Sequence, residues 1–406
     1  MLELYVIKEQ IVMDYIFSDK ISSLKPSAIR EILKATSDPG VIPLAAGNPS
    51  AEAFPVEEVK KITKEILDED PILALQYGVT EGYTPLRELI SSYMKEKYNI
   101  GKESDSIIIT AGAQQIMDLA TKILLNEGDT VICEAPSFIG SLNCFRSYNA
   151  KLCGVEVESD GINTEKLEEA LKTEKNVKFI YTIPNFQNPS GVTMSLEKRK
   201  KVYELAKKYN VLILEDNPYG DLRVSGEHLP SIKSFDEDGI VIYGGSFSKI
   251  LSPGIRVGYV IANEQLIAKM TVGKQATDVH TPMLTQLIVY KWMKNYDFEK
   301  HIEKICGIYK SKLELMCDNI DKHFGDKVTY VRPEGGLFVW CKLRDDIDML
   351  SFCAEAVKNK VAVVPGTAFM MNADDKTQCF RMNFSTPSDE KIVRGIEILG
   401  DILSKY

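Results

Sequence analysis

Short runs of β-branched and aliphatic residues recur through the middle of the chain, separated by stretches with helical spacing of apolar positions. Ser106–Thr110 (SIIIT), Thr130–Cys133 (TVIC), Val177–Ile183 (VKFIYTI), Val211–Glu215 (VLILE) and Ile240–Gly244 (IVIYG) read as buried strands. Between two of them, Val202, Leu205, Ala206 and Tyr209 fall at i, i+3, i+4 and i+7, with Ser195 upstream as an N-cap. That is one helical face packed on a sheet. Repeated strand–helix alternation predicts an α/β layer architecture with a largely parallel sheet, whose ligand sites lie beyond the carboxyl ends of the strands.

The two ends of the chain are patterned differently. The segment to about Phe54 holds one helical stretch, Ser27–Thr36, followed by a Pro/Gly-rich loop, PLAAGNPS. After about residue 295 comes a long charged helical pattern, then the strand-like Gly336–Cys341 and Phe380–Phe384. The expected division is an N-terminal arm and part of a small domain (1–54), a large domain (55–294) and a C-terminal small domain (295–406). Residues 1–12 precede a second methionine, Met13, and are either an extension or a misassigned start.

A chain of 406 residues is long enough for two domains with a substantial core. Lys and Arg number 49 against 58 Asp and Glu, a net charge of −9, and no basic block interleaves with aromatics. Nucleic-acid binding is therefore disfavoured. The eight cysteines form no CxxC pair and the four histidines are dispersed, so no metal ligation is indicated and free thiols are expected. No apolar run approaches the ~18–20 residues that span a bilayer. Glu3, Lys8, Glu9 and Asp14 interrupt the apolar N-terminus, which argues against a signal peptide. The expected location is the cytoplasm.

The most informative stretch is Ile240–Ala262, IVIYGGSFSKILSPGIRVGYVIA, whose only charged residues are Lys249 and Arg256. A lone lysine is ordinarily a solvated surface residue. Here the flanks are apolar or small, so exposure of both cations is not expected, and without a carboxylate they need an anion from elsewhere. A phosphate meets that need, with Ser246 and Ser248 as added donors. A desolvated lysine also has a lowered pKa, as an amine needs to attack a carbonyl.

Three weaker signals flank it. Val211–Gly220 (VLILEDNPYG) brings Asp216 to a strand end, although Asp-Asn-Pro equally makes a turn. Ile183–Gly191 (IPNFQNPSG) is an amide-rich loop after a strand, by itself only a turn-forming segment. Thr110–Gln115 (TAGAQQ) is a strand-to-helix junction whose unpaired N–H groups suit an anion. No GxGxxG and no GxxxxGK[ST] occurs, which removes the usual evidence for a dinucleotide or Walker-type site.

Taken in order, TAGAQQ, IPNFQNPSG, EDNPYG, GSFSKILSPGIRVG and FRMNF resemble the fold-type I pyridoxal-phosphate aminotransferases of class I/II, from about Ser27 onward. SAIREILKAT, LQYGVTEGYTPLRE, QATDVHTPML and RPEGGLFVW are similar to the branch containing 2-aminoadipate and kynurenine aminotransferases. The resemblance implies an α/β fold: a large domain with a mostly parallel seven-stranded sheet, and a smaller α+β domain built from both termini. It also implies residue roles. Lys249 matches the lysine that holds pyridoxal 5′-phosphate covalently, and Asp216 the acid paired with the pyridine nitrogen. Tyr219 and Asn188 match the residues bonded to the ring 3-oxygen. Gly112, Ala113 and Gln114, with Ser246, Ser248 and Arg256, match the phosphate cradle. Tyr77 matches a tyrosine that reaches the phosphate of a neighbouring subunit, implying a homodimer with shared sites. Phe138, in APSFIG, takes the ring-stacking position where family members commonly have Tyr. Arg381 matches the arginine that grips the substrate α-carboxylate, with Gly47 and Asn188 in the same subsite.

The implied reaction is ping-pong transfer of an amino group from an L-amino acid to a 2-oxo acid, with 2-oxoglutarate as expected acceptor and pyridoxamine 5′-phosphate as the intermediate cofactor form. The donor is 2-aminoadipate, an aromatic or a branched-chain amino acid. Arg30, in SAIRE, either meets a distal substrate carboxylate or is an exposed helical Arg paired with a nearby acid. Two rivals stand beside this reading. One is a cofactor-sensing regulator domain, whose DNA-binding module needs an N-terminal extension of about domain size where only about 25 residues precede the match. The other is a fold-type I lyase, against which Arg381 and the branch-specific segments weigh.

Overall fold

The computed structural model describes residues 15–22, 24, 38, 40–372 and 375–406. The expected helix at Ser27–Thr36 lies outside the described residues, as do residues 1–12.

One large sheet forms from β1 (Asp105–Thr110), β2 (Thr130–Ala135), β3 (Lys151–Glu158), β4 (Gly161–Ile162), β5 (Val177–Thr182), β6 (Leu212–Asn217), β7 (Val241–Ser246) and β8 (Gly258–Asn263). Its order is β1-β8-β7-β6-β5-β2-β3-β4. Strands β3, β2, β5, β6 and β7 pair in parallel, whereas β8 is antiparallel to both neighbours. Seven of these strands make up the expected sheet. The two-residue β4 folds back antiparallel on the edge strand β3. Every strand anticipated from the pattern is present, with ends shifted by one or two residues.

Alternate residues of each central strand feed two separate cores. Phe179, Tyr181 and Leu214 pack with Ile116, Met117, Leu142 and Phe145 on one face. Ile180 and Ile213 pack with Leu167, Val202 and Leu205 on the other. The period of two along a strand makes this sorting automatic. Each such fully buried side chain contributes roughly 1.5–3 kcal/mol. The first face carries helices α1 (Ala113–Leu124) and α2 (Ile139–Arg146), the second α3 (Thr164–Thr173) and α4 (Leu196–Tyr209). The Ser195 hydroxyl accepts from the Lys198 N–H at 3.4 Å, the cap expected of it.

A second, antiparallel sheet has the order β11-β12-β10-β9, from β9 (Val328–Tyr330), β10 (Phe338–Leu343), β11 (Val364–Pro365) and β12 (Cys379–Asn383). The charged pattern after residue 295 is one helix, α5 (Phe298–Phe324), which packs on α6 (Asp389–Leu403). Strand β10 begins at Phe338 rather than Gly336, because Gly336 has φ +73°, outside the extended region. Early residues join this layer: Ile42 bridges Val361, and the Asn383 N–H donates to the Leu44 carbonyl at 2.8 Å.

Candidate active site

Parallel strands end on one edge of a sheet, so the segments after β1, β5, β6 and β7 emerge side by side. They deliver Ala113 and Gln114, then Asn188, then Asp216 and Tyr219, then Ser246, Ser248 and Lys249, to the wall of one cavity of about 380 Å³. Gly47, Phe138, Arg256, Phe338 and Arg381 complete it.

At the α1 end, Gly112 has φ +76°, and a Cβ there would stand 2.4 Å from Arg256 Nη2. Only glycine permits both the turn and the approach of the guanidinium. Arg256 Nη2 donates to the Ala111 carbonyl at 3.0 Å and Nη1 to Ser248 Oγ at 3.5 Å. Ser246 Oγ donates to Ser248 Oγ at 3.0 Å. A guanidinium, two hydroxyls and a helix N-terminus thus share one corner, a set suited to a phosphate. The expectation that apolar flanks keep both cations from exposure is corrected here for Arg256. Arg256 is exposed and Lys249 only partly covered. Arg256 follows the Pro253–Ile255 turn with φ +52°, which sets its guanidinium at the cavity mouth instead of inside the sheet layer.

Lys249 Nζ donates to the Gly47 carbonyl at 2.7 Å. Desolvation, then the nearby Arg381 and Arg256 charges, lower its pKa to about 8. About a tenth of the amine is therefore neutral at pH 7, far more than for a lysine at its ordinary pKa of about 10.4. Arg381 is buried between the rings of Phe338 and Phe369, its guanidinium carbon 4.1 and 4.9 Å from their centroids. Its Nη1 donates to Asn188 Oδ1 at 2.8 Å and Nη2 to the Ala45 carbonyl at 3.0 Å, while Nε has no partner among the described residues. Burial lowers its pKa to about 10. Asn188 Nδ2 donates to the Tyr219 hydroxyl at 3.2 Å, so one amide ties the arginine to the phenol.

Asp216 sits on β6 with Oδ2 accepting from Tyr181 at 2.9 Å and Oδ1 buried without a partner among the described residues. Burial raises its pKa to about 7, against the lowering effect of the Tyr181 bond. A buried acceptor left open costs about 1–3 kcal/mol unless a donor arrives. The sign of the pH effect follows. A carboxyl raised from about 3.9 when unfolded contributes stability present below that value and lost as pH rises through about 7. In the cofactor-free protein, Asp216→Asn should therefore gain Tm relative to wild type progressively between about pH 4 and 7, measured by calorimetry. A difference constant with pH would show that Asp216 is not a perturbed buried carboxyl.

Of the expected site residues that the structure describes, Gly112 and Tyr77 do not line this cavity. Tyr77 is exposed, with its ring edge-on to His280 at 5.7 Å. Arg30 lies outside the described residues. Other residues escaped the sequence reading. Glu134 on β2, fully buried with a pKa raised by desolvation to about 7, accepts from Thr182 Oγ1 (2.6 Å), the Ile183 N–H (3.0 Å) and Gln187 Nε2 (3.3 Å). It thereby anchors the loop that carries Asn188. Phe338 follows Gly336 in RPEGGLFVW, a segment singled out for its branch likeness but not for a ring against Arg381. Nothing in the local pattern marks Glu134 or Tyr181, whose partners lie on other elements.

The family model "Aminotransferase class I and II" matches residues 39–399. Aromatic-amino-acid aminotransferase 1 of Thermococcus litoralis is 42% identical over 96% of this chain and 94% of its own. The solved structure of kynurenine aminotransferase from Pyrococcus horikoshii, in complex with PMP, is 39% identical, with a TM-score of 0.92 over 96% of this chain and 97% of that one. That of alpha-aminoadipate aminotransferase from Thermus thermophilus, complexed with N-(5′-phosphopyridoxyl)-L-leucine, is 34% identical, with a TM-score of 0.88 over 96% and 97%.

Proposed function

This chain belongs to the class I and II aminotransferases and uses pyridoxal phosphate for amino-group transfer; from that premise we propose its donor and acceptor and a role for each wall residue. It moves the amino group of an L-amino acid, of the 2-aminoadipate, aromatic or branched-chain type, to 2-oxoglutarate. The observation that carries the reading is the meeting of Lys249 with a lowered pKa, a buried Asp216 oxygen lacking a donor, and a buried Arg381 with an unpaired Nε in one cavity. Those groups ask for a carbonyl, a protonated ring nitrogen and a carboxylate respectively.

Bound pyridoxal phosphate supplies an electron-withdrawing ring that stabilises negative charge at the substrate Cα. Asp216 holds the proton of the ring nitrogen. Tyr219 and Asn188 would hold the ring 3-oxygen, and Phe138 would cover the ring. Gly112, Ala113, Gln114, Ser246, Ser248 and Arg256 hold the phosphate. Arg381, with Gly47 and Asn188, orients the substrate α-carboxylate. Lys249 Nζ would hold the cofactor carbonyl and, as a free amine, would take the proton from the substrate Cα and later return one.

The exposed apolar run Ile72, Leu75, Tyr77 and Val79 supports a homodimer in which Tyr77 serves the neighbouring copy's phosphate corner. The division at about residues 54 and 294 is kept in this proposal, as is a cytoplasmic location. Among the described residues no helix is long and apolar enough to cross a membrane.

The substrate proposal is tested by kcat/KM across an amino-acid panel with 2-oxoglutarate, for wild type and Arg30→Ala. If Arg30 meets a distal carboxylate, acidic donors should lose about 10–100-fold and aromatic donors little. An equal, small change for all donors would leave Arg30 as a surface residue. Formation of 2-oxo acid without a stoichiometric new amino acid would replace transfer by a lyase reaction.

A further inference from the structure

Asp216 is held by a hydroxyl chain that runs in one direction only. Ser141 Oγ donates to the Tyr181 hydroxyl at 2.8 Å, and that hydroxyl donates to Asp216 Oδ2 at 2.9 Å. The three residues come from α2, β5 and β6, and all three are buried. A phenol has one hydrogen; spent on Asp216, it leaves only an acceptor for Ser141. Burial pushes the Tyr181 pKa far above its ordinary value, so the phenol stays a donor.

We propose that Ser141 and Tyr181 are positioning residues for the transfer reaction, forming a relay that fixes the Asp216 carboxylate with Oδ2 engaged and Oδ1 reserved for the donor of the bound cofactor ring. A carboxylate tied at neither oxygen turns about its last torsion, because that well is broad. Tied at one oxygen by a donor that is itself polarised by a second donor, it is held in one orientation. Both donors point toward the acid, so the relay favours its ionised form, the form that retains a protonated ring nitrogen. The other ionisable groups around Asp216 leave that task to the relay. The charge of Asp216 disfavours ionisation of Glu134 on β2 and of Tyr219 beyond β6.

The simpler account is a buried tyrosine finding a hydrogen-bond partner for its own sake. The two differ in what removal of the hydroxyl does to cofactor binding. Tyr181→Phe keeps the ring and its edge contact with Phe145 at 5.3 Å. The inference rests on Asp216 facing the ring nitrogen, so wild type is titrated first with pyridoxal phosphate after cofactor removal. Failure of wild type to bind would sink the functional reading itself, not the relay alone. With wild type binding, cofactor-free Tyr181→Phe should bind about 10–100-fold more weakly, the value of one hydrogen bond to a charged group. Its kcat should fall with little change in KM. Ser141→Ala should show a smaller loss in the same direction. Tyr181→Phe in an Asp216→Asn background should change affinity little further, because the relay acts through the acid. Wild-type affinity in Tyr181→Phe, or an equal loss whether or not Asp216 is present, would overturn the proposal. Were Tyr181→Phe to fold poorly, Ser141→Ala decides: unchanged affinity there overturns it as well.

Discussion

Lys249→Ala is expected to lose turnover well beyond the ~10²–10⁴ that an acid–base group ordinarily contributes. The reason is that one amine has two tasks. In the proposed function it both anchors a carbonyl cofactor covalently and acts as the base at the substrate Cα. Its surroundings suit both: a partly covered position, one hydrogen bond to the Gly47 carbonyl, and a pKa lowered to about 8 by desolvation and two neighbouring guanidinium groups. A lysine at its ordinary pKa of about 10.4 would be almost wholly protonated at pH 7 and a poor nucleophile. The check is kcat together with reduction by borohydride and mass spectrometry. Wild type should carry the cofactor mass on the peptide that contains Lys249, and the variant should carry none. Unchanged activity and an unchanged absorbance in Lys249→Ala would remove the basis of the assignment.

The second large effect is expected at Arg381. Arg381→Lys should lower kcat/KM by ~10²–10⁴, the worth of two charged hydrogen bonds at about 1.5–3 kcal/mol each. Lysine keeps the charge but not the planar fork, nor the stacking between Phe338 and Phe369. The loss should be similar for every amino acid, because each presents the same α-carboxylate. An amine without a carboxylate should be nearly indifferent to the change. That uniformity separates Arg381 from Arg30, whose removal is expected to discriminate by side chain. A loss confined to acidic donors would move Arg381 from the α-carboxylate to the side-chain subsite.

The strands and the segments that follow them were legible because their cues are local. A run such as VLILE is apolar on both faces, and only a strand buried on both sides uses it, which is what β6 is. Lys249 was legible by contrast with apolar neighbours, and Asp216 by its place at a strand end. The contrast overreached at Arg256: local hydrophobicity speaks for the segment, whereas exposure depends on where a turn leaves the side chain. Lys249 stands above the apolar layer and Arg256 at the mouth of the cavity. Glu134, Ser141 and Tyr181 were not legible at all. Each is an ordinary residue in its own element, and its meaning comes from a partner 35 to 53 positions away.

What the sequence determined by itself is the alternation of strands and helices and the chemical identity of the groups at the strand ends. Both are written in periodicities of two and 3.6 and in residue type, which neighbours in the chain suffice to express. What only the tertiary structure decided is which of those groups share a cavity and in what electrostatic state. The strand order β7-β6-β5-β2 brings Lys249, Asp216, Tyr181 and Glu134 alongside one another. Burial then lowers the lysine to about 8 and raises the acid to about 7, because desolvation depends on everything packed around a charge rather than on its neighbours in sequence.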